Sequence, residues 1–283
     1  MAKPWKRFCE QHKINMFDLL LHKYLRLPYR LNVHIDQNPK SSRATVLLLH
    51  GMGNSGASWD EVVKKIPNDI RVISVDLLGF GESPSPRWMK YNISIQAKSV
   101  IATLLRENIR QPLIIVGHSM GSLIAVEIAK RYPLIVKSLI LCSPPFYSNV
   151  ESKTLLPNQN ALLKQFYKFI IKNPQSIVDA APLALKLRIV GNAFNVTKEN
   201  VDVYMAVLES SIIHQSSFED VKKLRKPIRL LHGRFDPVVI KKNLQEVVVA
   251  NKHAQLSLIM AGHELMDNYI PAVVKEITEA ASS

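Results

Sequence analysis

The chain has 283 residues, 47% of them hydrophobic, enough to bury a sizeable core without a metal or disulfide staple. Its formal net charge of +14 and sequence pI near 9.7 admit nucleic acid or an anionic membrane surface as partners. No compact basic cluster with interleaved aromatics accompanies that charge, so nucleic-acid binding is not expected, and the runs Lys222-Lys223-Leu224-Arg225-Lys226 and Lys241-Lys242 read as solvated faces.

Residues 3 to 26 read as an amphipathic helix, with Trp5, Phe8, Cys9, His12, Met16, Leu19, Leu20 and Leu27 recurring every three or four positions beside a basic face. The apolar stripe is expected to pack on its own domain; weak association with an anionic membrane surface is the other reading that such a helix permits. The apolar run from Met16 to Leu27 is interrupted by Asp18, His22, Lys23 and Arg26, which fits neither a signal peptide nor a membrane span. Cys9 and Cys142 lie far apart, and Cys142 ends an apolar run, so a reduced, buried thiol is expected for it. A cytoplasmic protein is the expectation.

Pro28 ends the helix, and Tyr29 to Asp36 alternates Leu31, Val33 and Ile35 with polar residues, as a half-exposed strand does. Thr45 to Leu49 is continuously apolar, the pattern of a strand buried on both faces, and it delivers His50-Gly51-Met52-Gly53. Glycines there let the backbone turn sharply and leave N–H groups free to face a ligand. Ser58 is expected to cap a helix carrying Trp59, Val62, Val63 and Ile66. Arg71 to Val75 is a further strand, followed by Asp76-Leu77-Leu78-Gly79-Phe80-Gly81-Glu82-Ser83 and a proline-marked loop in which Trp88 is placed to face substrate.

After a helix over 94–108, the strand Leu113 to Val116 runs into Gly117-His118-Ser119-Met120-Gly121 and a helix to about Tyr132. A strand turning abruptly into a helix holds Ser119 in a strained conformation, pushed into solvent at the helix's positive end. Ile135 to Cys142 is the next strand. Residues 144–221 then lack strand patterning, are punctuated by prolines, and read as short helices inserted into the core, with Phe146 at their start a second candidate substrate contact. Alternation resumes with a strand at Ile228 to Leu231, a helix near 239–250, a strand at Leu256 to Met260 and a closing helix after Pro271.

A serine hydroxyl needs a base to become a nucleophile, and the base needs an orienting acid. Of the nine histidines, His263 alone sits just past the final strand, behind Gly262, on the rim where Ser119 emerges. Asp236 follows the strand ending at Leu231 through a Gly233 turn.

Together these elements resemble the α/β-hydrolases from Tyr29 to the carboxyl terminus. The markers are His50-Gly51-Met52-Gly53, the Asp76 to Ser83 loop, the Ser119 elbow, His232-Gly233-Arg234-Phe235-Asp236 and Ala261-Gly262-His263. The amino end departs from the family's hairpin. The resemblance implies an α/β fold with a mostly parallel central sheet flanked by helices and an inserted helical cap. The amphipathic helix would then occupy 1–28, the core 29–143 and 222–283, and the cap 144–221. It also implies the order Ser119, Asp236, His263, with Met52 and Met120 N–H groups as the oxyanion hole. No cofactor or metal is implied. The activity expected is serine-dependent cleavage of small-molecule carboxylic esters with short to medium acyl chains. Hydrolysis of activated carbon–carbon bonds, of the kind acting on meta-cleavage products, uses the same residues, and a non-catalytic ligand-binding protein is the remaining alternative.

Overall fold

The computed structural model describes residues 16–109, 111–147, 159–187 and 189–283. Seven strands form one sheet: β1 (Val33–Gln37), β2 (Ala44–Leu49), β3 (Ile70–Val75), β4 (Leu113–His118), β5 (Val136–Cys142), β6 (Ile228–Gly233) and β7 (Ala254–Ile259). Their order across the sheet is β1-β3-β2-β4-β5-β6-β7. Only β1 is antiparallel, pairing Val33 with Val75 and Gln37 with Val72; the other six run parallel.

The central strands are apolar without alternation because both faces are covered. Leu47 and Leu49 of β2, with Ile115 of β4 and Leu139 and Leu141 of β5, enter one core. Val46 and Leu48 of the same β2, with Val116 and Ile140, enter the other. The first core is closed by α2 (Ile93–Arg106) and α3 (Met120–Arg131), after the short α1 (Asp60–Val63). The second is closed by α1 and by the last helix, α9 (Tyr269–Ser282), through Val62, Tyr269, Val273 and Ile277. Each large aliphatic side chain so buried contributes roughly 1.5–3 kcal/mol. The helix α2 starts where Asn92 Oδ1 accepts from Ile95 N–H at 3.0 Å.

Between β5 and β6 lie α4 (Gln159–Lys172), α5 (Gln175–Lys186), α6 (Val201–Val207), which runs on as the π-helical turn Leu208–Ile213, and α7 (Ser217–Val221). The helix α8 (Lys241–Ala250) connects β6 to β7. Met205, Leu208, Ile212 and Ile213 are buried in the first core, whereas Leu183, Leu187 and Ile189 face solvent.

Two local expectations are corrected. Ser58 caps no helix; its hydroxyl donates to Ser55 O at 2.9 Å, inside a 3-10 turn, Gly56–Trp59, that leads into α1. At the amino end the described helical segment is Met16–Asp18 continuing as π-helical Leu19–Tyr24. Of the expected packing stripe, Leu19 is half-buried, Leu20 and Leu27 are exposed, and Trp5, Phe8, Cys9 and His12 lie outside the described residues. The segment also meets Tyr29: its Oη donates to Asp18 Oδ2 at 2.7 Å, and its ring stacks on His22 at 3.6 Å. Among the described residues no helix is long and apolar enough to cross a membrane.

Candidate active site

Six parallel strands end on one edge of the sheet, and the loops after β4, β6 and β7 bring Ser119, Asp236 and His263 there. The tightest is the turn from β4 into α3. Ser119 has φ 50° and ψ −118°, a strained region for a residue with a side chain, costing of order 1–3 kcal/mol. The turn closes because nothing projects from its glycines. A Cβ on Gly121 would collide with Leu49 O of β2, and one on Gly117 would lie 2.5 Å from the Gly121 carbonyl. Ser119 N–H donates to Cys142 O at 2.8 Å, and Ser122 Oγ to Gly117 O at 2.7 Å, which holds the strained backbone from both sides.

His263 is brought to this turn from the loop after β7. Its Nε2 lies 3.1 Å from Ser119 Oγ and its Nδ1 2.8 Å from Asp236 Oδ2. Asp236 comes from the loop after β6, with its side chain fully buried. Its Oδ1 accepts from Val238 N–H at 2.8 Å and Val239 N–H at 3.1 Å. Burial by itself would raise the pKa of Asp236. The His263 hydrogen bond and charge, the Ser143 hydroxyl and the Val238 N–H outweigh it and hold the carboxyl down to about 2. For His263 burial pulls the pKa down, while the Asp236 hydrogen bond and charge and the Glu264 charge push it net upward. With Asp236 ionised, His263 Nδ1 carries the proton and Nε2 is left to accept from Ser119.

Four further residues hold this arrangement, and residue type alone does not reveal them. His118 donates from Nε2 to His263 O at 2.8 Å, so the motif's own second residue fixes the backbone of the loop carrying His263. Burial lowers the His118 pKa and keeps the ring neutral. Ser143, directly after β5 and at φ 47°, bonds Asp236 with its hydroxyl and lies 3.1 Å from Tyr269 Oη, which donates to Leu231 O at 2.7 Å. His50, fully buried, sends Nδ1–H to Gly51 O at 2.7 Å and accepts Leu77 N–H on Nε2 at 2.8 Å. Burial takes its pKa down to about 4, so the ring stays neutral at physiological pH. The Gly51 carbonyl that His50 grips belongs to the same peptide as the Met52 N–H. Gly51 must be glycine at this point: a Cβ would stand 2.9 Å from His118 Nδ1 and 3.2 Å from Ser119 Cβ.

The inserted helices reach the same turn. Asn195 N–H donates to Gly53 O at 2.8 Å, and the Phe194 and Tyr204 rings pack where a Gly53 side chain would be. Tyr167 of α4 meets Tyr147 Oη to Oη at 2.9 Å, and Tyr147 donates to Val238 O at 3.0 Å, beside Asp236. Asp76 holds its own loop, accepting from Gly56 N–H at 2.7 Å, Asn32 Nδ2 at 2.8 Å and Glu82 N–H at 2.9 Å.

The two side chains expected to face substrate are placed differently. Phe146 has no exposed surface; its ring packs on Phe218 with centroids 6.4 Å apart and its carbonyl accepts from Asn243 Nδ2 at 2.6 Å, so it serves the core. Trp88 packs against Tyr29 at 6.3 Å, with its Nε1 buried and unbonded. Tyr204 carries no signal in the sequence as an aromatic beside the Gly51–Gly53 turn, because only the folded chain brings it there.

A mostly parallel sheet with Ser, His and Asp joined at its carboxyl edge defines the architecture of a hydrolase. The sequence matches the α/β hydrolase fold family over residues 44–268, and the chain belongs to that family. It is 33% identical over 135 residues to the probable lysophospholipase BODYGUARD 4 of Arabidopsis thaliana, a match covering 44% of this chain and 32% of that protein. The chain thus spans only about a third of that relative's length. Among solved structures, an esterase from Exiguobacterium antarcticum superposes with a TM-score of 0.71 at 16% identity, covering 89% of this chain and 96% of that one. The meta-cleavage product hydrolase of Pseudomonas fluorescens IP01 gives 0.66 at 22% identity, covering 88% and 94%.

Proposed function

We propose that the protein is a serine hydrolase of neutral carboxylic esters with short to medium acyl chains, acting through an acyl-enzyme. The observation that carries this reading is the continuous chain Ser119 Oγ, His263 Nε2, His263 Nδ1, Asp236 Oδ2, at 3.1 and 2.8 Å. In that chain the Ser119 proton passes to His263 Nε2 as Oγ attacks the ester carbonyl, and Asp236 balances the imidazolium that forms. The negative oxygen is received by Met52 N–H and Met120 N–H, neither of which has an acceptor among the described residues. His263 then protonates the leaving alcohol. A water deprotonated by His263 attacks the acyl carbonyl, and Ser119 recovers its proton from His263 as the acid leaves.

The relatives' names, esterase, probable lysophospholipase and meta-cleavage product hydrolase, agree on hydrolysis without choosing the bond. The choice of ester rests on the oxyanion turn, where Met52 and Asn54 offer no cation for a charged ring-cleavage product. The chain-length limit rests on Phe194 and Tyr204 of the insertion, which we take to act as a cap closing over the turn. Each acyl methylene buried beneath it is worth about 0.8 kcal/mol until the cap stops extension.

The test compares kcat/KM for neutral esters graded by acyl length with that for dienoic carbon–carbon substrates, alongside Ser119→Ala. Esters are expected to be faster, and the variant to lose both turnover and labelling by an organophosphonate while keeping its Tm. Faster carbon–carbon cleavage moves the assignment to that class, and near-normal turnover in Ser119→Ala refutes the serine mechanism.

A further inference from the structure

Glu264 directly follows His263 and is half-buried. Its Oε2 lies 3.5 Å from the position a Cβ on Gly191 would take, so the carboxylate sits where the inserted segment closes on the loop that carries His263. Among the described residues it has no ion-pair partner. Only its main chain is engaged, with Glu264 O accepting Met266 N–H at 2.9 Å. Its charge pushes upward on three groups of the site at once: on His263, on Tyr204, which burial already raises, and on His118, where burial outweighs it and leaves the pKa lowered. The neighbouring carboxylate, Asp236, is by contrast buried and bonded to His263 and to two backbone N–H groups.

A half-buried carboxylate with no ion-pair partner among the described residues keeps its field, and the inserted segment on one side and the His263 loop on the other screen that field less than water does. A substrate's scissile bond must lie against Ser119 and His263, so any charge it carries near that bond comes within reach of the residue next to His263. We propose that Glu264 is a specificity-determining residue, a charge filter that disfavours substrates with an anionic group near the scissile bond and leaves neutral and cationic esters as the class this site takes. The inference rests on the esterase reading for the bond cleaved, though not for the sign of the charge preferred. It also separates this protein from hydrolases of carboxylate-bearing substrates, for which an unpaired acid at this point is a handicap.

The experiment uses the full chain and three p-nitrophenyl esters that share a butanoyl chain and differ in the group on its fourth carbon: the butyrate (hydrogen), the hydrogen glutarate (carboxylate) and the 4-(trimethylammonio)butyrate (cation). Glu264→Gln keeps the shape and removes the charge. Its expected effect is a rise in the anionic-to-neutral ratio of kcat/KM, and a fall in the cationic-to-neutral ratio, each by roughly threefold to tenfold for unit charges about 10 Å apart in a partly solvated site. Both shifts should shrink at high salt. The same ratios are read as Kd for the three esters in the Ser119→Ala background, where turnover plays no part. A uniform loss across the three esters with unchanged ratios overturns the inference, because a residue that only supports the loop cannot tell charges apart. Shifted Kd ratios in a protein whose wild type hydrolyses none of the esters refute the esterase reading and leave the charge filter standing.

Discussion

His50 offers a way to separate the oxyanion turn from the nucleophile. Replacing it by Leu preserves bulk beside Phe80, whose ring meets the imidazole edge-on at 5.8 Å, and removes two hydrogen bonds of 2.7 and 2.8 Å. The Leu77 N–H is then left buried without an acceptor, costing about 1–3 kcal/mol of stability. The bond to Gly51 O matters to chemistry: with that carbonyl released, the Gly51–Met52 peptide is held, among the described residues, only by Asn54 N–H at 3.3 Å, a long bond that permits tilting. Full loss of an oxyanion donor typically lowers kcat by about a hundredfold to a thousandfold. A peptide loosened rather than removed should lose roughly tenfold to a hundredfold in kcat, with KM changed far less. His50→Gln can donate to Gly51 O and accept from Leu77, so it should recover part of both losses. Steady-state kinetics on a short-chain ester and urea unfolding measure the two effects separately. If His50→Leu loses the expected stability yet keeps its kcat, the link from His50 through Gly51 to Met52 is wrong and the histidine only fills the core.

Gly121→Ala should cost more than about 3 kcal/mol or abolish folding, because the added methyl meets the Leu49 carbonyl, a backbone atom at the carboxyl end of the interior strand β2 that no rotamer change can move; expression and thermal melting read this directly, and a normal Tm refutes it. Asp236 supplies a pH signature. Its folded pKa of about 2 lies below its ordinary 3.8, so it contributes about 2 kcal/mol of stability that is fully present above pH 4 and lost as pH falls through the folded value. His263 has the opposite sign, its contribution being present below its ordinary pKa of 6.5 and lost as pH rises through the raised folded value. Asp236→Asn should therefore flatten the acid limb of unfolding free energy against pH and lower kcat by about ten thousandfold through the wrong imidazole tautomer; an unchanged acid limb would show that Asp236 is not held down in the native state.

The sequence by itself determined the strands, though not their order across the sheet. Buried parallel strands must be apolar on both faces, so runs such as Thr45 to Leu49 announced themselves, and their ends marked where Ser119, Asp236 and His263 would emerge. The glycine spacing around Ser119 was legible for the same local reason, since a strained turn admits few residue types. What surrounds those residues was decided only by tertiary structure. His118 bonding His263 O, Ser143 bonding Asp236, and Asn195 bonding Gly53 O join positions 145, 93 and 142 residues apart, and no periodicity encodes such pairs. Trp88 and Phe146 show the converse. An aromatic near a loop reads as a substrate contact until packing is known, and here Tyr29 and Phe218 take those rings. Apolar burial depends on which surfaces meet, and a one-dimensional pattern gives the apolar face of an element without naming what covers it. For the same reason only the folded chain sets the Phe194 and Tyr204 rings beside Gly53.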